Sequence, residues 1–170
     1  MKTFVKITGI FSLLLATLSF YLMLANPAVT FMPKSVWESG SDRYLASQFV
    51  IFGGLGVGPT FAGLTSFLLM IISLLLVGAG IILPLIKNND FSKLSSILNF
   101  SAVILLFIAG LLILNIVPSY INAAGDNSFC ADNLENGYYT IGIYWIFSGV
   151  LSIVASLFNI IPAVCDLTIK

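Results

Sequence analysis

The chain has 170 residues, of which 59% are hydrophobic and 8% are charged. Soluble domains carry about 25% charged residues because a packed globule needs a hydrated surface, and this chain has too few charges to provide one. Its formal net charge is +0 and it has no basic cluster, which excludes nucleic acid as a partner. The lipid bilayer is therefore the expected solvent for much of the surface.

Four stretches without a charged residue divide the chain, and each is long enough to cross a membrane. They cover residues 7–33, 44–86, 94–125 and 136–165. A helix of about 20 residues spans a hydrocarbon core of roughly 30 Å. Backbone amides in lipid must be paired within a helix or a closed barrel, and barrel strands alternate polar and apolar residues. These continuously apolar stretches therefore predict an all-α integral membrane fold, a bundle of four transmembrane helices.

In chain order, the helices are predicted at about 4–25, 60–86, 92–117 and 138–164, within one membrane domain that covers 1–170. Asn26-Pro27 ends the first helix, because proline disfavours helix in the residue before it, and Pro118 ends the third. A basic N-terminus before an apolar run is also typical of a cleavable signal peptide. The run 7–25 is longer than the roughly 7–15 residues of such peptides, so we expect the first helix to be retained.

The distribution of basic residues predicts that both termini are cytoplasmic, since cytoplasmic segments carry an excess of lysine and arginine. With the N-terminus inside, the basic residues on the inner side are Lys2, Lys6, Lys87, Lys93 and Lys170, and those on the outer side are Lys34 and Arg43. The outer loops then cover about 27–59 and 118–137. The expected location is the cell (plasma) membrane.

The end of the first outer loop, residues 44–59, has two interpretations. Strand-like residues over 44–52 are followed by a glycine-rich run. This pattern predicts either a small β-hairpin or a flexible lead-in to the second helix. Alternatively, the segment is re-entrant, because about 10–14 apolar residues are too few to span the bilayer. The lysine of a phosphate-binding loop is missing.

Apart from Lys6 and Lys93 at their ends, the predicted spans contain no charged residue, and the chain has no histidine. Proton relays, imidazole metal centres and Ser-His or Cys-His nucleophile pairs are therefore excluded. Cys130 lies in an outer loop and Cys165 at the inner end of the last helix. The bilayer of about 30 Å between them exceeds the Cα separation of about 7 Å that a disulfide allows. We expect no catalytic residue, no cofactor, no metal and no enzymatic activity.

Small and polar residues recur at helical spacing along two predicted helices. They are Gly9, Ser12 and Ala16 on the first helix and Ser148, Ser152, Ser156 and Asn159 on the last. Such faces allow helices to approach closely in lipid, and they contact either other helices of this chain or another subunit. Asn99 and Asn159 both lie roughly 10 Å below the inner surface at about 1.5 Å per residue. We predict that their amides pair across the third and fourth helices.

All 6 tyrosines and both tryptophans fall at or beyond the outer ends of the helices. One interpretation is an aromatic belt at the outer membrane interface. The other is a surface that receives a partner, because tyrosine and tryptophan are enriched where binding energy concentrates. The candidate residues for partner contact are Trp37, Tyr44, Tyr120, Tyr138 and Tyr139.

The chain has a larger first outer loop, a short inner turn and a smaller second outer loop. At the level of topology, this layout resembles the claudin and myelin-protein plan. The claudin first-loop signature, a tryptophan, then Gly-Leu-Trp, then two cysteines, does not appear, since Trp37 stands alone and the loop has no cysteine. The resemblance is one of layout, and no site residue is assigned from it.

Two functional hypotheses are consistent with these features. The first is a non-enzymatic scaffold or accessory subunit that acts through its helix faces and outer loops. Its partners would be the lipid bilayer, other membrane subunits or a second copy of the chain. The alternative is a pore or transporter subunit for small neutral solutes or ions, in which Gln48, the glycine run and the asparagines line a path in an oligomer.

Overall fold

The computed structural model describes residues 2–33, 43–54, 57–86, 92–124 and 137–168. Within these ranges the chain is mostly helical, with three short strands. In chain order the elements are α1 (Lys2–Ala25), β1 (Val29–Pro33), β2 (Arg43–Leu45), α2 (Ser47–Phe52), α3 (Phe61–Ile86), α4 (Ser92–Leu114), α5 (Ile116–Ala124), β3 (Gly137–Ile141) and α6 (Ile143–Thr168).

Four of these helices, α1, α3, α4 and α6, are long and apolar enough to cross a membrane, which confirms the prediction of four such helices. The apolar stretches are Thr3–Ala25, Phe61–Pro84, Lys93–Leu114 and Ile143–Cys165. Around the bundle, α6 lies between α1 and α4, and α3 packs on α4 and on α1. Two clusters of buried apolar side chains fill the interior, one around Trp145 and Tyr120 and the other around Met70 and Leu106.

The surface of these four helices is apolar where it faces away from the bundle. Leu75 is 69% exposed, Leu14 62% and Phe100 58%, whereas the serines and asparagines at the helix contacts are buried. In water this distribution would be reversed, since soluble proteins bury apolar side chains and expose polar ones. The four apolar helices and their apolar outer surface indicate an integral membrane protein.

A three-stranded antiparallel sheet covers one end of the bundle, which we call the sheet end. Its strand order is β2-β1-β3. Thr30 of β1 lies opposite Tyr44 of β2 on one side and opposite Thr140 of β3 on the other. The strands β1 and β2 flank residues 34–42, which lie outside the described residues, so the hairpin connection itself stays a prediction. Residues 47–52, which looked strand-like in the sequence, are helical.

The segment between β2 and α3 packs onto the sheet end of the bundle. Val50 and Ile51 of α2 are fully buried. Gly53 ends α2 with φ of 84°, a left-handed conformation that glycine adopts without steric cost. The Thr60 N–H then donates to the Val50 carbonyl oxygen at 3.0 Å, which fixes the start of α3 against α2.

Two predicted helix ends are wrong, for different reasons. The last helix begins at Ile143 and not at 138, because the β-branched and aromatic residues of Gly137–Ile141 pair with β1 as a strand. The third helix breaks at Asn115, before the predicted stop. A further helix, α5, then continues through Pro118. Proline is tolerated there because N–H groups in the first turn of a helix have no partner within that helix.

Candidate functional site

Buried hydroxyl and amide side chains form a continuous polar seam inside the bundle. We define the polar seam as Ser12 and Ser19 of α1, Ser95, Ser96 and Asn99 of α4, and Ser148, Ser152 and Asn159 of α6. Each of these side chains is at most 1% exposed. Helices in lipid gain no hydrophobic drive from associating, so hydrogen bonds and close packing between them carry much of the stability.

Near the sheet end, Ser19 and Ser148 join α1 to α6 by two reciprocal hydrogen bonds. Ser19 Oγ donates to the Ser148 carbonyl oxygen at 2.7 Å, and Ser148 Oγ donates to the Ser19 carbonyl oxygen at 2.8 Å. Two turns closer to the N-terminus of α1, Ser12 Oγ donates to the Ala155 carbonyl oxygen at 2.8 Å. These hydroxyl protons are all used between helices of the same chain.

In the middle of the bundle, α6 and α4 approach closely. Ser152 Oγ donates to the Leu106 carbonyl oxygen at 2.7 Å. One turn nearer the sheet end, Gly110 and Gly149 bring the two backbones together, since a Cβ at residue 110 would lie 2.8 Å from the Gly149 carbonyl oxygen. A side chain at either position has no room, so the two glycines permit this contact.

Toward the opposite end, α3, α4 and α6 meet at a junction of four residues, Gly80, Ser95, Asn99 and Asn159. Ser95 Oγ donates to the Gly80 carbonyl oxygen at 2.7 Å, and Asn99 Nδ2 donates to Ser95 Oγ at 3.4 Å. Asn159 Nδ2 donates to the Asn99 carbonyl oxygen at 2.9 Å. The predicted contact between Asn99 and Asn159 therefore exists, but it runs from an amide to a backbone carbonyl and not from amide to amide. Beside the junction, Ser96 Oγ donates to the Ala163 carbonyl oxygen.

At the sheet end, the last turn of α1 is tied to the first turn of α6. The fully buried Trp145 donates its Nε1–H to the Asn26 carbonyl oxygen at 3.3 Å. The Gly142 N–H donates to the Ala28 carbonyl oxygen at 2.9 Å. A Cβ at residue 142 would lie 2.2 Å from the Pro27 carbonyl oxygen, so only glycine fits there. Trp145 thus belongs to the core and not to an interfacial belt.

The two predicted helix stripes lie at helix contacts within the chain. Gly9, Ser12 and Ala16 of α1 are buried, as are Ser148, Ser152, Ser156 and Asn159 of α6. Five residues at these helix contacts were not among the predicted packing residues: Gly80, Ser95, Ser96, Gly110 and Gly149. The residues Ser95, Asn99, Ala102, Leu106 and Ala109 follow one another at four, three, four and three positions, and this spacing already marks the buried face of α4.

The candidate residues for partner contact lie in different elements of the fold. Tyr44 lies in β2, and Tyr138 and Tyr139 lie in β3, opposite Met32 and Phe31 of β1. Trp37 lies outside the described residues. Tyr120 is 7% exposed and packs in the apolar cluster around Trp145, so its side chain is occupied within the chain.

The polar seam has hydroxyls and amides but no group that would activate them. In the described ranges, no group of three or more His, Cys, Asp or Glu residues is placed to hold a metal ion. A serine nucleophile needs an adjacent base, and the serines of the seam donate to backbone carbonyl oxygens instead. The geometry is that of a structural hydrogen-bond network between membrane helices.

No protein-family model matches this sequence, and no match was found among curated proteins. The function is therefore inferred from the geometry alone.

Proposed function

We propose that this chain is a non-enzymatic scaffold or accessory subunit of the plasma membrane, with both termini in the cytoplasm. It acts through the apolar outer faces of its four spans and through its outer loops. The observation that supports this proposal is that polar side chains lie inside the bundle and apolar side chains lie on its outer faces. The hydroxyls of the polar seam are consumed by helices of the same chain, and the faces left for other molecules carry large apolar side chains.

This division also favours a scaffold over a pore. A solute path needs polar groups that are free to replace water around the solute. At the closest approach of α4 and α6, a Cβ at residue 149 would lie 2.8 Å from Leu114 Cγ and 3.1 Å from the Gly110 carbonyl oxygen. Two backbones in such contact leave no channel between these helices.

A photo-crosslinking experiment tests whether one outer face binds a partner. Each span presents a large exposed apolar side chain: Leu14 on α1, Leu75 on α3, Phe100 on α4 and Phe147 on α6. A photoreactive phenylalanine analogue is introduced at each of these positions in turn, in cells that produce the full chain. We expect a crosslink to a defined membrane protein, or to a second copy, from one or two adjacent positions, with the remaining positions as matched controls. Equal lipid-only labelling from all four positions, together with purification of a lone chain in mild detergent, would refute the scaffold.

The orientation is tested with the two native cysteines, one in each predicted compartment. A membrane-impermeant maleimide added to intact cells is expected to modify Cys130 and to leave Cys165 unmodified until the membrane is permeabilised. The variants Cys130→Ser and Cys165→Ser identify which thiol reacts. Modification of Cys165 in intact cells would place both termini outside.

Liposome flux separates the scaffold from the pore. The purified chain is reconstituted in vesicles, and the release of ions and of small neutral solutes is compared with that from protein-free vesicles. The proposal predicts equal rates. A protein-dependent flux of any of these solutes would replace the scaffold with a pore.

A further inference from the structure

The junction of α3, α4 and α6 contains two amide oxygens without a donor. Asn99 and Asn159 are 1% and 0% exposed, and neither Oδ1 atom has a hydrogen-bond partner. Their amide nitrogens are both engaged, Asn159 Nδ2 with the Asn99 carbonyl oxygen and Asn99 Nδ2 with Ser95 Oγ. Buried polar atoms in folded proteins nearly always have a partner. These two oxygens therefore indicate a group that supplies protons or positive charge.

Exchanging the oxygen and nitrogen positions of either side-chain amide still leaves an acceptor without a donor. In the reversed orientation, Asn159 places its oxygen 2.9 Å from the Asn99 carbonyl oxygen, so that two acceptors face each other. Reversed, Asn99 directs its oxygen at Ser95 Oγ, whose proton goes to the Gly80 carbonyl oxygen at 2.7 Å. Both asparagines thus present an acceptor that the surrounding helices do not satisfy.

The neighbouring part of α3 has no donor to offer. A Cβ at residue 80 would lie 2.6 Å from Asn99 Oδ1, so the amide rests directly on the backbone of α3 at Gly80. Glycine has no side chain, and an N–H group in the interior of a helix already donates to the carbonyl four residues earlier. Among the described residues no donor reaches the two oxygens, which points to a small molecule as the donor.

We propose that this junction binds buried water, which donates protons to the two Oδ1 atoms. Water has two protons to donate, and buried water in proteins characteristically bonds to polar groups that would otherwise be unsatisfied. Amide oxygens also attract cations, but the stretches 94–125 and 136–165 contain no carboxylate to balance a positive charge. An unbalanced charge in the bilayer interior is unfavourable. This site is independent of the proposed scaffold function.

Water contact is measured in the wild-type chain by solid-state NMR, after reconstitution in phosphatidylcholine and phosphatidylglycerol vesicles. Magnetisation is transferred from water protons to the side-chain Cγ atoms of labelled asparagine. The dipeptides Asn99-Phe100 and Phe158-Asn159 each occur once in the chain, so both residues are assigned without variants. Asn115, which is exposed directly beyond the apolar stretch Lys93–Leu114, is the wet control. Ala102, which is fully buried in the apolar core and follows Ser101 in a unique dipeptide, is the dry control.

We expect signals of Asn99 and Asn159 to build up several-fold faster than that of Ala102 and at a rate close to that of Asn115. A build-up at either asparagine no faster than at Ala102 would overturn the proposal. A second measurement separates water from an ion, because a ligand that binds only the folded state raises its stability. Water predicts the same unfolding midpoint in NaCl, KCl and choline chloride. A midpoint raised by sodium or potassium in the wild type, but not in Asn99→Leu, would assign the oxygens to a cation and reject water.

Discussion

Gly110 lies where two membrane-spanning helices touch, and we expect one added methyl group there to be destabilising. A Cβ there would lie 2.7 Å from Ile153 Cγ1, 2.8 Å from the Gly149 carbonyl oxygen and 3.3 Å from the Ile153 nitrogen. The Ile153 side chain can rotate away from the methyl group. The Gly149 oxygen and the Ile153 nitrogen belong to the backbone of α6, so Gly110→Ala forces α4 and α6 apart.

Gly78 provides a matched control for the size of this effect. It also lies within a membrane-spanning helix, and a Cβ at residue 78 meets no atom within 4 Å. Both Gly→Ala changes gain the same helix propensity, about 0.8–1.0 kcal/mol. The difference between the two variants is therefore the overpacking term, about 1–3 kcal/mol, or roughly 5- to 150-fold in the folding equilibrium constant.

The assay is equilibrium unfolding in mixed micelles, with increasing mole fraction of sodium dodecyl sulfate. The signal is the fluorescence of the buried Trp145, isolated by a Trp37→Phe background. Gly78→Ala is expected to match or exceed the wild type in stability, and Gly110→Ala to unfold at a lower mole fraction. Equal midpoints for the two variants would show that α4 and α6 are not in backbone contact at residue 110, which would refute the packing described here.

The other predictions concern single hydrogen bonds and use the same unfolding assay. Ser148→Ala removes the hydroxyl donation to the Ser19 carbonyl oxygen and is expected to reduce stability by about 0.6–2 kcal/mol; wild-type stability would contradict the α1–α6 contact. Thr60→Val removes the oxygen that accepts the Gly63 N–H at the start of α3, so we expect a loss of about 0.5–2 kcal/mol. The exposed Thr17→Val is its control, and equal effects would argue against the cap. Trp145→Phe removes the fluorescent reporter, so the unfolding of this variant and of the wild type is followed by circular dichroism instead. The variant keeps an aromatic ring but loses the indole N–H bond to the Asn26 carbonyl oxygen, with an expected loss of about 0.5–1.5 kcal/mol. An unchanged midpoint would show that this bond does not contribute to stability.

The four long helices were predictable because charge and hydropathy act locally. A stretch without charges that is long enough to cross lipid can adopt few structures other than a helix. The ends of the helices were not predictable in this way. Residues 137–141 become a strand because β1, more than a hundred positions earlier, is there to pair with them. Pro118 looked like a stop, but it lies in the first turn of α5, where its missing N–H matters little.

The polar seam was predicted in part. Helical spacing placed Ser12 and Ser148 on inward faces, since a face is a property of one helix. Which atom each side chain reaches depends on the rotation and depth of two helices together. For this reason the contact of Asn99 with Asn159 was predicted, but not its acceptor. Gly110 and Gly149 were not predicted, because the role of a glycine in an apolar span depends on which helix packs against it.

The strand order β2-β1-β3 has a consequence for the biogenesis of the chain. The central strand, β1, leaves the ribosome directly after the first span, whereas its partner β3 is synthesised only after α4 and α5. One edge of β1 thus has no partner in the sheet until the last hydrophobic segment is about to enter the bilayer. The sheet can therefore close only when the first three spans have already been synthesised, and a nascent chain that stops before residue 137 exposes an unpaired β edge that can pair with another chain.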